Sequence, residues 1–406
     1  MVNNNTTRCS NELKIFISVT IVFLATFISF FYQYVEGTDS FVHMNWAVSA
    51  SLDIIGFMKN MLSYPIWHYF AKLVFCMGMS ENISVATTTA VFNALAYLAS
   101  LYFIKVVVNS GDNFNTDASC LIALIASFVG PLYVPIFNDH YYLGQWSPNT
   151  WHNPTNIAVR PFAIIATALL ISIIRTIWSK EQCVGKREYY LLSIFMVMSC
   201  FAKPSYMQGM VMGFSLFIIV SLLFYRNNIN KNVIINYCKL CLSFLPAFIA
   251  LVLQVYLTNT TNNTQTGGIG IGWGIVLHTY TSNMVISFVL ALAFPLMVFL
   301  MNIRKILNNI IGHLLLCYLL GAWLESAVFY FKGKIGFGDF CWAYMIAMYI
   351  IWLSSLIYFF VYEDNMKKKV VCWIILFAHL ISGILYWMQF AHLICPLTQV
   401  WDGLIY

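Results

Sequence analysis

I-F-I-S-V-T-I-V-F-L-A-T-F-I-S-F-F-Y-Q-Y, Ile15 to Tyr34, runs for twenty positions without a charge, directly after Lys14 and with Arg8 a little upstream. About 20 apolar residues wound as a helix cover the hydrocarbon of a bilayer. The run is too long for a signal-peptide core and has no small-residue cleavage site, so it reads as a retained first span. Similar runs recur to the end of the chain, near 84–107, 118–136, 157–178, 189–202, 205–225, 237–257, 284–301, 310–331, 342–362 and 370–390. The sequence therefore predicts an all-α polytopic bundle of about 11 spans (10–13), a single membrane domain over 1–406.

Composition agrees. With 61% hydrophobic and 9% charged residues, no soluble domain can be carved from these 406 positions. The net charge of +6 records topology, because most of the excess sits in short loops, and a nucleic-acid partner is not expected. Arg8 and Lys14, the loop from Arg175 to Arg187, Arg226 with Lys231, Arg304 with Lys305, and Lys367 to Lys369 are assigned to the cytoplasmic side. That puts the N-terminus inside and the C-terminus outside, in what is expected to be a bacterial plasma membrane. The alternation holds only if Leu62 to Met79, which carries His68 and Lys72, lies at the outer surface instead of crossing. The eleven cysteines fall mostly in apolar stretches and are expected to be small core residues.

Six basic residues are left on the outer side: Lys59, Lys72, Arg160, Lys203, Lys332 and Lys334. Nearly every other polar feature gathers there too. The first outer loop, 35–83, opens V-E-G-T-D-S-F-V-H-M-N-W, with Asp39 at the edge of a short helix and His43 one turn on. A carboxylate and an imidazole at that spacing can share a proton, although Asp39 could equally be a helix cap. The second outer loop, F-N-D-H-Y-Y-L-G-Q-W-S-P-N-T-W-H-N-P-T-N over 137–156, packs Asp139, His140, His152, Asn153 and the aromatics Trp146 and Trp151 into 20 residues. Such a set suits stacking and hydrogen bonding to a sugar or a polar headgroup, beyond what an interfacial aromatic belt needs.

Arg160 in R-P-F and Lys203 in A-K-P-S are cations at membrane depth, for which a lipid-linked phosphate is the natural outer partner, with snorkelling the competing account for Arg160. Glu325 lies in the outer half of a span, with Lys332 or Lys203 the expected partner, and Asp339 follows in G-F-G-D-F. The outer loop 258–283 contains G-G-I-G-I-G-W-G, expected to be a flexible lid bringing Trp273 and His278 to the site. His313 and His379 read as satisfied packing residues.

These features resemble the GT-C superfamily of polytopic glycosyltransferases, which includes oligosaccharyltransferases and lipid-phosphate-sugar-dependent transferases. The resemblance rests on a first span, an outer loop opening with Asp39, juxtamembrane helices beginning Y-P-I-W-H-Y (Tyr64 to Tyr69), two further spans and a second outer loop with Asp139. It implies an inverting transfer from a polyprenyl-phosphate-linked sugar to a glycan or lipid acceptor on the outer face, in cell-envelope polysaccharide chemistry. By resemblance, Asp39 is the base, Asp139 an acceptor or metal contact, Arg160 and Lys203 phosphate contacts, and a divalent cation a possible cofactor on Asp39 and Asp139. The chain departs from the family in lacking an adjacent acidic pair in the first loop and a large soluble C-terminal domain. Two rival readings are a polysaccharide polymerase or ligase and a transporter or flippase; the latter requires charge along a mid-membrane path and an internal repeat.

Overall fold

The computed structural model describes residues 2–35, 38–51, 53, 65–108, 115–134, 136–137, 146–179, 184–261, 268–333, 335, 338–363 and 365–394. The described residues are predominantly helical. Helix α1 (Val2–Tyr32) contains the opening apolar run as far as Tyr32, and α2 (Asp39–Ser49) and α3 (Pro65–Cys76) follow it. Then come α4 (Glu81–Val108), α5 (Thr116–Phe128), α6 (Pro154–Ile177), α7 (Lys186–Ala202), α8 (Ser205–Phe224) and α9 (Lys231–Thr261). The C-terminal part adds α10 (Leu277–Tyr280), α11 (Met284–Met301), α12 (Ile303–Leu307), α13 (Ile310–Val328), α14 (Trp342–Ile357) and α15 (Met366–Phe390). Among the described residues nine helices are long and apolar enough to cross a membrane, the length and composition of a multi-pass protein.

Polar contacts sort the helix ends into two groups. At one end Lys14 pairs with Asp117 at 2.6 Å, Arg175 donates to the carbonyls of Val106 and Val107 at 2.7 and 3.0 Å, and Lys368 donates to Met301 O at 2.7 Å. Here the basic loops meet. At the other end Tyr34, just past α1, donates a hydrogen bond to Glu81 at the start of α4. Since α1 ends and α4 begins on the same side, the segment between them returns to its own face. At 12 residues α3 is only about 18 Å long, short of the roughly 30 Å hydrocarbon layer. It packs with α2 onto α1, α4 and α6 through a satellite core that includes Phe30, Met44, Trp67, Phe92 and Ile157. Lys72 is accounted for locally, its Nζ donating to Val48 O of α2 at 2.5 Å.

One of the eleven expected spans takes another form, and a second lies within a helix of slightly less than crossing length. The run at 118–136 is helical only to Phe128 and then extended, because Gly130 precedes Pro131 and a residue before proline avoids the helical region. Non-helical backbone inside an apolar bundle must find partners, and this segment does. Gly130 N donates to His379 O and its carbonyl accepts from His379 Nδ1 at 2.7 Å. Leu132 N reaches Leu290 O, Ser382 donates to Pro131 O, and the Asn149 amide donates to Ala126 O and Val129 O at 2.9 and 2.8 Å. His379 is thus a satisfied packing residue. The run at 189–202 belongs to the 17-residue α7, one of the shorter helices. Helix α11 kinks at Leu292 ahead of Pro295, whose ring denies Ala291 its helical partner; Trp352 Nε1 takes that carbonyl at 3.2 Å.

The glycine-rich run is not a free lid. Ile269–Ile271 (β1) pairs antiparallel with Phe329–Phe331 (β2), Gly270 opposite Tyr330. A Cβ on Gly270 would lie 2.3 Å from the Tyr330 ring, so glycine there admits the ring against the strand. Cys120, Cys200, Cys317, Cys341 and Cys372 are buried as expected, whereas Cys76, Cys238 and Cys241 are exposed. The last two stand at Cys-x-x-Cys spacing on α9, beside the equally exposed Leu242 and Leu245.

Candidate functional site

Pro154 starts α6, and a proline in the first turn leaves the residue before it as N-cap. That residue is Asn153. Its Oδ1 accepts from Asn156 N at 2.8 Å, Thr155 Oγ1 at 2.9 Å and Lys203 Nζ at 3.1 Å. With the oxygen committed to donors, its Nδ2 is the atom facing Asp39, donating to Oδ2 at 2.9 Å. One side chain therefore holds a carboxylate from the start of α2 and an ammonium from the α7–α8 turn. Asp39 is not the cap of α2; Thr38 is, accepting from Phe41 N, which leaves the Asp39 carboxylate for Asn153.

Lys203 sits in the break that Pro204 imposes between α7 and α8. Its Nζ also reaches Thr155 Oγ1 at 3.2 Å and lies over the Trp342 ring, 4.1 Å from the centroid. Asp339, on the single helical turn before α14, is exposed and close enough to act electrostatically on both Lys203 and Asp39. Burial pushes Lys203 down to about 7, against the opposing pull of Asp39 and Asp339. Burial likewise raises the Asp39 carboxyl, while the Asn153 bond and Lys203 hold it down. His152 is buried with Nδ1 3.3 Å from Tyr386 Oη and its ring 5.6 Å from Trp342. Burial, then Lys203 and Arg160, favours its neutral form.

The remaining candidates are placed as follows. His43 meets His68, Nδ1 to Nε2 at 3.1 Å, and burial, then His68 and Lys203, favour its neutral form. Nδ1 of His43 thus meets a second histidine, where the sequence spacing pointed to Asp39. Arg160 is buried behind the second loop, donating to Asn149 Oδ1, Pro148 O and Thr150 Oγ1 with Tyr349 5.0 Å from its guanidinium. It shapes the loop that carries Asn153. Trp146 and Trp151 are at most 1% exposed and pack against Tyr344 and Phe128, so neither offers a face for stacking.

Glu325 is buried in α13, and its Oε2 finds no partner among the described residues. Lys332 is exposed, and no ion pair joins either Lys332 or Lys203 to Glu325 among the described residues. His278 is exposed on α10 beside Gly274, with the strand-tied loop rather than the Asn153 cluster. Asp139, His140, Glu36, Lys59 and Lys334 lie outside the described residues. Among the described residues no three His, Cys, Asp or Glu side chains converge as metal ligands. Asp39 has Asn153 and Lys203 as close neighbours, and Asp139, its expected partner on a divalent cation, lies outside the described residues.

Sequence reasoning missed Trp342, Thr155, His68 and Tyr386. Trp342 had a faint signal, three positions after Asp339, and His68 and Thr155 lay in stretches singled out for other reasons; Tyr386 had none. No protein-family model matches the chain, and a search of curated proteins finds no significant relative.

Proposed function

We propose that the protein is a membrane glycosyltransferase of inverting type, moving a sugar from a polyprenyl-phosphate-linked donor to a hydroxyl acceptor. The observation that carries this reading is the Asp39–Asn153–Lys203 bridge. It sets a carboxylate and a cation side by side at the end of the bundle opposite the basic loops.

Transfer from a lipid phosphate needs those two groups. Asp39, with Oδ2 held by Asn153, takes the acceptor's proton at its other oxygen. A carboxylate raised by burial is a stronger base than one in water. The acceptor oxygen attacks the anomeric carbon as the bond to the phosphate oxygen breaks, and the electron pair leaves with the phosphate. Lys203, charged when it meets that anion, stabilises the developing negative charge. Trp342 and His152 form the aromatic wall beneath it. The resemblance to GT-C enzymes in sequence pattern supports the same reading.

The test is release of polyprenyl phosphate by the full-length protein in proteoliposomes given polyprenyl-phosphate sugars and glycan acceptors. Acceptor-dependent release, abolished by Lys203→Met, is the expected result. Release unchanged by Lys203→Met would remove the phosphate role from Lys203.

A further inference from the structure

A groove of about 1260 Å³ runs between α11, α13 and α14 on the flank of the bundle. This exceeds the roughly 300–1,000 Å³ of pockets that take drug-sized ligands. Its walls are apolar, among them Leu292, Pro295, Leu315, Leu319 and Ile351. From Ile310 to Trp323, both of which line it, helical rise gives a length of roughly 20 Å, more than half the hydrocarbon thickness. Leu292, where α11 departs from helical geometry, and Pro295 both line it.

Charge distinguishes the two ends. Near Met284 and Trp323 the lining is uncharged. The other end carries Arg175 and Lys305, with Trp178, Asn309 and Tyr362 beside them. Arg175 uses two nitrogens on the carbonyls of Val106 and Val107, and a guanidinium has five N–H donors in all. Lys305 is exposed on α12 and bonds Tyr358. Glu363 is the acid close by, and Lys368 lies 3.8 Å from it. Among the described lining residues this end carries two cations and no acid.

We propose that this groove holds an anionic phospholipid, its acyl chains along α11 and α13 and its phosphate at Arg175 and Lys305. The occupant is a membrane lipid and not the sugar donor, because a donor phosphate belongs at Lys203, at the opposite end. Only the exclusion of the sugar donor rests on the glycosyltransferase reading; the site for an anionic lipid does not.

The full-length protein in phosphatidylcholine nanodiscs, titrated with spin-labelled phosphatidylglycerol or spin-labelled phosphatidylcholine, tests it. The expected result is an immobilised population that prefers phosphatidylglycerol. Lys305→Gln, at an exposed position where folding is not at stake, lowers that preference about fivefold, the worth of one basic residue against an anionic headgroup. Ser355→Trp, which fills the groove from α14, removes immobilised lipid of both kinds while the thermal transition stays in place. Equal immobilisation of the two lipids overturns the proposal. So does a preference that survives both substitutions, or displacement of phosphatidylglycerol by polyprenyl phosphate at equal concentration.

Discussion

Replacing Asn153 by alanine breaks three things at once, and they can be separated. The cap of α6 is worth about 1 kcal/mol. The hydrogen bond from Nδ2 to the Asp39 carboxylate, 2.9 Å long with a charged acceptor, is worth about 1.5–3 kcal/mol. Lys203 also loses one of its two named oxygen partners, keeping Thr155 Oγ1. The single change should cost about 3–4 kcal/mol in all. Asn153→Ser, which keeps a capping oxygen, should recover the first part only. Asp39→Ala alone should cost about 1.5–3 kcal/mol, because it leaves the Asn153 amide unmet. Made together, the two alanine changes should cost less than their sum by about 1.5–2 kcal/mol, the interaction that neither single variant retains. Equilibrium unfolding in mixed micelles of increasing denaturing detergent measures the wild type and all four variants on one scale. Additivity within about 0.5 kcal/mol would mean that the residues do not act on each other, and the bridge would be refuted.

Asn153 also holds the Asp39 carboxyl down, so Asn153→Ala should move the acid limb of the pH–rate profile upward; base activity is present above the carboxyl's pKa and lost as pH falls through it. An acid limb that stays put, or moves down, contradicts this. With Lys203 near 7 before ligand binds, binding of a lipid phosphate above neutral pH should take up a proton, and affinity should fall as pH rises; calorimetry in buffers of different ionisation enthalpy reads the uptake, which Lys203→Met should abolish. Gly383 stands where a Cβ would come 2.0 Å from Phe128 O, against the extended break after α5. Gly383→Val should therefore cost 3 kcal/mol or more, about the top of the range for overpacking, or prevent accumulation; a wild-type thermal transition would show that the two backbones are not in contact. For topology, single cysteines at Ser80 and Asn228, in a background free of native cysteines, should react with impermeant maleimide from opposite faces of the membrane, and labelling from one face contradicts the arrangement.

Much of the fold was legible because a bilayer imposes one strong rule, an apolar run of fixed length. The break at Gly130-Pro131 was missed because the run around it stays apolar, so hydropathy cannot tell a helix from an extended segment whose carbonyls are met by Asn149 and His379. In the site, Asp39, Asn153 and Lys203 could each be picked out as polar residues out of place. Their joining could not, since the bonds span 114 and 50 positions and no local period encodes them. Arg160, Trp146 and Trp151 drew attention for the same reason, yet they serve the packing of the second loop. A buried polar or aromatic residue looks alike in sequence whether it faces a ligand or its own backbone.

Turnover of the Asp39→Asn variant bears most directly on the central reading. The amide keeps the size of the carboxylate, and Thr38 caps α2, so folding and donor binding should stay close to wild type. Sugar transfer in proteoliposomes should fall by the roughly 10²–10⁴ that loss of general-base help costs. Transfer by Asp39→Asn at near wild-type rate would contradict the account and take the base away from Asp39.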